Sequence, residues 1–170
     1  LKRIQSIAGI KKVGVASGIR YDLVVADADY GKTYLRKILT HHTSGQLKIA
    51  PEHTVKHVCM LMGKPGGDVL LQFKKLFDTE QSMLQNRQFL TYYFIAALPG
   101  CTIRDMKTLR GFIEKNLKVY PEQVQVFTPI PSTWSTAMYY TQIDPFSGRK
   151  VYVEKNVRQK EAQKRVIVKR

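Results

Sequence analysis

Short apolar runs closed by glycine, proline or serine alternate along this chain with stretches whose apolar residues recur every three or four positions. That alternation constrains the fold most, because strand–helix–strand order builds right-handed crossover units and a parallel sheet. Four runs read as strands: Lys12 to Ser17, Gln46 to Ala50, Phe89 to Leu98 and Val124 to Phe127. Phe89 to Leu98 is nearly all apolar and aromatic, the pattern of a strand covered on both faces. Tyr30 to His42 reads as a helix with Tyr34, Leu35, Ile38 and Leu39 on one stripe, stopped by Ser44-Gly45. A second helix starts near Thr54, an N-cap candidate, and breaks at Gly63-Lys64-Pro65-Gly66-Gly67. A third begins at Asp68 and buries Leu70, Leu71, Phe73, Leu76 and Phe77. Thr102 caps a fourth, which carries Ile103, Met106, Leu109, Phe112, Ile113 and Leu117 inward. The expected class is α/β with a parallel sheet over residues 1–145.

The composition shifts after about Phe146. Between Arg149 and Arg170 nine basic residues face only Glu154 and Glu161, so residues 146–170 read as a basic tail, either a mobile arm or a helix packed on absent sequence. The whole chain holds 28 Lys and Arg against 13 Asp and Glu, a formal charge of +15, which favours an acidic partner with nucleic acid first. An apolar share of 44% over 170 residues suffices for one core and excludes a disordered chain. No apolar run approaches the roughly 18 residues of a membrane span, so no membrane partner is expected. Cys59 and Cys101 cannot make a disulfide framework, which makes a reducing cytoplasm the default compartment. Leu1 in place of Met suggests a piece of a longer protein.

Several local patterns have a chemical and a plain structural reading. Ala26-Asp27-Ala28-Asp29-Tyr30-Gly31-Lys32-Thr33 nearly matches a phosphate-binding loop, follows the apolar run Leu23 to Ala26 and precedes a helix. Two carboxylates and a tyrosine would fill the space meant for the anion, so a loop and helix start is the better reading, with a nucleotide site on Lys32 and Thr33 as a third-ranked function. His53 and His57 share one helix face, but Thr54 stands where a zinc protease needs its glutamate, and no metal site is expected. His41-His42 suits the macrodipole at a helix C-terminus. Tyr92, Tyr93, Tyr139 and Tyr140 could stack on bases, although Tyr92 and Tyr93 lie in a core-strand pattern.

The strand exits are more telling. In barrels of alternating strands and helices, the active site lies at the C-terminal ends of the strands. Here those exits read Ser17-Gly18-Ile19-Arg20, Pro51-Glu52-His53, Leu98-Pro99-Gly100 and Thr128-Pro129. They supply small residues for close approach, one carboxylate, one guanidinium and one imidazole. The plain alternative is ordinary turn chemistry, with Arg20 pairing with Asp22.

At these residues the chain resembles the YgiQ-type radical S-adenosylmethionine (radical SAM) proteins. The resemblance runs through Ser17-Gly18-Ile19-Arg20-Tyr21-Asp22, Leu47 to Thr54, Met62-Gly63-Lys64-Pro65, Tyr93 to Thr102, Gln123 to Pro129, Pro131-Ser132-Thr133 and Met138 to Thr141, covering roughly residues 1 to 155. It implies the C-terminal, parallel-sheet half of a partial (β/α) TIM-like barrel. It also implies that a full-length protein uses S-adenosylmethionine and a [4Fe-4S] cluster to make a 5′-deoxyadenosyl radical, on a substrate that the resemblance does not define. The cluster needs a three-cysteine run, which Cys59 and Cys101 do not form, so neither group is expected on this chain alone. The missing N-terminal half is the implied partner. By the same resemblance Ser17, Gly18 and Arg20 reach the cofactor's ribose or carboxylate. Leu98, Pro99 and Gly100 offer backbone contacts to adenine, and Glu52 and His53 face cofactor or substrate. The rival class is a basic nucleic-acid-binding α/β module, with RNA or another polyanion as partner.

Overall fold

A computed structural model describes residues 1–85 and 87–168. Its elements are α1 (Lys2–Gln5), α2 (Tyr21–Ala26), α3 (Gly31–Lys37) extended by a π-helical turn (Ile38–His42), β1 (Gln46–Glu52), α4 (Lys56–Leu61), α5 (Gly67–Ser82) and β2 (Phe89–Ala96). There follow α6 (Ile103–Phe112) with a second π-helical turn (Ile113–Leu117), β3 (Gln123–Val126), α7 (Trp134–Thr141) and α8 (Val157–Arg165). The strands form an open, all-parallel sheet in the order β1-β2-β3, which makes the fold α/β as the alternation predicts. No helix among the described residues is long and apolar enough to cross a membrane. The chain divides into two compact units, residues 1–50 with 69–91 and residues 51–68 with 92–170.

In the first unit Leu35, Leu39, Leu47, Leu70 and Phe73 are fully buried, and the Tyr21 ring lies 5.7 Å from that of Phe73. α3 is clasped to α5 by the buried Glu80 carboxylate, which takes Arg36 at 2.6 Å and Lys32 at 3.6 Å, two cations one helical turn apart. The phosphate-loop context is absent, since Leu23 to Ala26 is helical rather than a strand. Asp27 instead caps the turn, its Oδ1 accepting the backbone N–H groups of Asp29 and Tyr30. Gly31 sits where α2 and α3 nearly touch, because a Cβ there would lie 2.0 Å from the Val24 carbonyl oxygen.

Among the described residues three strands form, not four. Lys12 to Ser17 makes no ladder; the nearest pairing is a single parallel bridge between Ile19 and Ile49. Gly14, Ala16, Ser17 and Gly18 are exposed, so this segment has no buried face to hold it in a sheet. β1 also runs past its expected end, through Pro51 to Glu52.

In the second unit β2 and β3 pair from Tyr93↔Gln123 to Ala96↔Val126. Tyr92, Phe94 and Ala96 are buried while Tyr93 and Ile95 are half-buried, so one face of β2 is sealed and the other only partly covered. Thr102 caps α6 as expected, in a box with Asp105. Ile103 does not turn inward but is 42% exposed at the first position of the helix. The cap of α4 is Val55, with no side-chain bond, rather than Thr54. The basic tail carries a helix, α8, rather than forming an arm, and it packs on α6 and β3 within its own unit. Lys160 and Gln163 of α8 are buried, as is Ile167 just past its end. Two of these three are polar, and that is why no apolar stripe announces them. The Lys160 ammonium lies 4.5 Å from the Tyr139 ring centre and donates to its hydroxyl at 2.9 Å. Lys169 and Arg170 lie outside the described residues.

Candidate functional site

In the second unit the C-terminal ends of β1 and β2 both leave their strands through left-handed, non-glycine residues. Glu52 has φ 63°, and the His53 N–H donates across it to the Pro51 carbonyl at 2.7 Å, forming a γ-turn that is rarely adopted because it is strained. Ala97 has φ 58° and is fully buried. The turn aims the Glu52 carboxylate at the Lys64 ammonium, 3.1 Å away, with 22% of each side chain exposed. Lys64 belongs to the Gly-Pro loop after α4, held by its N–H on the Cys59 carbonyl at 2.9 Å.

Behind this pair lies a closed polar cluster. His53 is 1% exposed, Cys101 fully buried and Gln163 2% exposed. His53 Nδ1 accepts the Val55 N–H at 3.0 Å, which leaves the proton on Nε2, 3.6 Å from Cys101 Sγ. The thiol in turn donates to Gln163 Oε1 at 3.5 Å; that oxygen also accepts the Ala97 N–H at 3.1 Å, and Gln163 Nε2 donates to the Cys101 carbonyl at 3.4 Å.

A cysteine beside a histidine invites a nucleophilic reading, and the electrostatics refuse it. Burial pushes His53 down to about 4, with Asp105 opposing weakly and His57 adding to the shift. Burial pushes the Cys101 thiol up to about 12, with Asp105 reinforcing it. Both groups are therefore neutral near pH 7, where a nucleophilic pair needs a thiolate. The cluster binds the β2 exit to α8.

His57 is exposed on α4 and reaches the Gly100 carbonyl at 3.3 Å and Asp105 Oδ1 at 3.5 Å. Burial raises the Asp105 carboxyl, but the Thr102 hydroxyl and N–H, with the two histidines, together hold it below the usual range. Leu98 and Pro99 are buried. The Gly100 N–H is spent on the Tyr152 carbonyl at 2.7 Å, and a Cβ at Gly100 would lie 2.4 Å from Leu61.

In the first unit Ser17 and Gly18 are exposed, and Arg20 holds Asp22 with two bonds of 2.9 and 2.6 Å, the plain alternative of the sequence reading. The Arg20 hydrogen bond, against the opposing cost of burial, holds the Asp22 carboxyl below its usual range. Sequence reasoning missed Lys64 and Gln163. Lys64 stands in the resembling segment Met62-Gly63-Lys64-Pro65 but nothing there points to Glu52, and no pattern singles out Gln163, since each acquires its partner only through the fold.

These strand-end loops define a class, parallel α/β units with their polar groups gathered beyond the carboxyl ends of the strands. Residues 122–169 match a domain of unknown function (DUF3362). The chain is 50% identical over 167 residues to a UPF0313 protein of Fusobacterium nucleatum, covering 98% of this chain and 29% of that protein. It is 45% identical over 158 residues to a UPF0313 protein of Thermotoga maritima, covering 93% and 28%. A UPF0313 protein of Methanosarcina acetivorans is 41% identical over 167 residues, covering 98% and 22%. The chain thus has UPF0313 homologues over nearly its whole length and spans less than a third of theirs.

An iron–sulfur cluster does not fit the residues present. Cys59 and Cys101 are both buried, with thiols pushed up by burial to about 11 and about 12, and a thiolate cluster needs the opposite. Among the described residues no three His, Cys, Asp or Glu side chains converge as metal ligands.

Proposed function

We propose that this chain supplies later strands of a radical S-adenosylmethionine barrel in a protein of the length of its UPF0313 relatives, with the cluster held by residues elsewhere in that protein. The observation that carries the reading is positional. Three of the segments through which the sequence resembles such proteins fall at strand ends: Pro51 to Thr54 where β1 ends at Glu52, Leu98 to Thr102 after β2 ends at Ala96, and Phe127 to Pro129 after β3 ends at Val126. The cofactor residues retained are those with groups accessible in their own unit, Ser17 and Gly18 in the first and Glu52 in the second. Lys64 joins them as the residue that orients Glu52. Arg20, His53, Leu98, Pro99 and Gly100 act instead through the loops they fix.

The test is anaerobic reconstitution with iron and sulfide, followed by assay for 5′-deoxyadenosine. A protein of the relatives' length takes up about four irons per chain and cleaves S-adenosylmethionine, whereas the 170-residue chain assembles no stoichiometric cluster. A full cluster on the 170-residue chain, or a long protein that neither binds iron nor cleaves the cofactor, overturns the proposal. The charge of +15 supports a separate property, polyanion binding, which does not compete with this one.

A further inference from the structure

The second unit carries a groove of about 800 Å³ between α6 with its π-helical turn and α8. Its floor is apolar: Ile113 and Ile167 are buried, and Val166 is half-buried. Its rim is cationic, with Lys107 and Arg110 from α6, Lys118 after the π-helical turn and Arg165 from α8. Arg110 is tied at 2.7 Å to Glu114, the only carboxylate of the lining among the described residues. Among the described residues Lys107, Lys118 and Arg165 make no ion pair, and all three are exposed. Tyr120, 70% exposed, stands in the same lining.

We infer that this groove is a binding site for single-stranded nucleic acid. Exposed cations converging on one concavity raise the local concentration of polyanions, and their contacts with phosphates release counterions. An apolar floor beside an exposed phenol ring is what a base needs for stacking and what a bare phosphate or an acidic side chain does not use. The volume is within the range of nucleotide-sized ligand pockets, roughly 300–1,000 Å³. One phosphate sits between Lys107 and Arg165 across the groove, a second reaches Lys118, and a base lies over the floor against Tyr120.

The experiment uses the 170-residue protein and a fluorescein-labelled oligouridylate of twelve nucleotides, with anisotropy read between 50 and 200 mM KCl. Lys107→Glu with Arg165→Glu is compared with Lys11→Glu with Lys12→Glu, the same charge change on two exposed residues outside the groove. The groove pair is expected to lose at least tenfold in affinity and to flatten the log–log salt slope by about 0.7, the loss of one phosphate contact on a single strand. The outer pair is expected to lose less than threefold. Tyr120→Ala is expected to lose about tenfold while Tyr120→Phe binds normally. Thermal melting checks each fold. Should the charge reversals melt early, Lys107→Gln with Arg165→Gln decides the matter in the same way. Equal losses from both pairs would show diffuse attraction and overturn the site. So would no binding of the oligonucleotide, or its displacement by polyglutamate at equal charge, which would mark an acidic-peptide site instead.

Discussion

Gln163→Leu removes one side chain from α8 and reports on whether the C-terminal helix is part of the core. Leucine fills nearly the same volume, so cavity formation is minor and the loss is polar. The Ala97 N–H loses its partner at 3.1 Å in a fully buried residue. The Cys101 carbonyl loses a weaker bond at 3.4 Å, while the thiol can turn to the Thr102 carbonyl at 3.6 Å, where it already has an acceptor. One buried donor left unpaired costs about 1–3 kcal/mol, and the orphaned carbonyl adds to it, giving about 2–3 kcal/mol after the gain from burying an apolar side chain. Urea unfolding followed by far-ultraviolet circular dichroism should show a lower midpoint with an unchanged slope. A loss below about 0.5 kcal/mol would refute the argument, since it would mean that water or a shifted helix satisfies the Ala97 N–H at no cost.

The His53 imidazole should make stability fall on acidification. Its folded value of about 4 is below its reference of 6.5, so its contribution is complete above about pH 6.5 and is lost toward pH 4, amounting to about 3 kcal/mol. The drop between pH 7 and 4.5 should be at least about 2 kcal/mol smaller in His53→Asn, and an equal drop would clear His53 of the effect. Gly31→Ala drives a methyl into the Val24 carbonyl and should cost about 3 kcal/mol or prevent folding, whereas Gly111→Ala, with nothing within 4 Å in α6, should stabilise by about 0.5–1 kcal/mol in melting experiments. Arg20→Ala breaks a pair whose arginine is 61% exposed, so it should change stability by less than about 1 kcal/mol. Both cysteines should resist iodoacetamide in the native protein and react once it is unfolded in urea, because their thiols are pushed up to about 11 and 12. Rapid native labelling of either would contradict their burial.

Apolar periodicity carried much of the fold. Leu35 and Leu39 on α3, Leu70, Phe73 and Phe77 on α5, and Met106 and Leu109 on α6 are all buried where their spacing places them. Lys12 to Ser17 failed because Val13 and Val15 look like a strand, while the small exposed residues around them offer no face to bury. The tail failed for the opposite reason: Lys160 and Gln163 are polar by type, yet Tyr139 and the Ala97 N–H satisfy them across 21 and 66 residues of chain. Distance in sequence also hid the Glu52–Lys64 pair. The strand exits were legible as a group, His53 among them, but its burial beside Cys101 depends on a contact 48 residues away.

The bond between Ala97 and Gln163 also sets a timetable for synthesis. A ribosome adding about 5–20 residues per second needs roughly 3–13 s to make the 66 residues that separate them. Throughout that interval the β2 exit exists without the helix that seals it, with the Ala97 N–H and the Cys101 thiol open to water and to other molecules. The second unit therefore cannot close progressively behind the emerging chain. It waits for its most basic segment, and an oxidant or a chaperone that meets the nascent protein in those seconds finds a reactive surface that the finished one no longer shows.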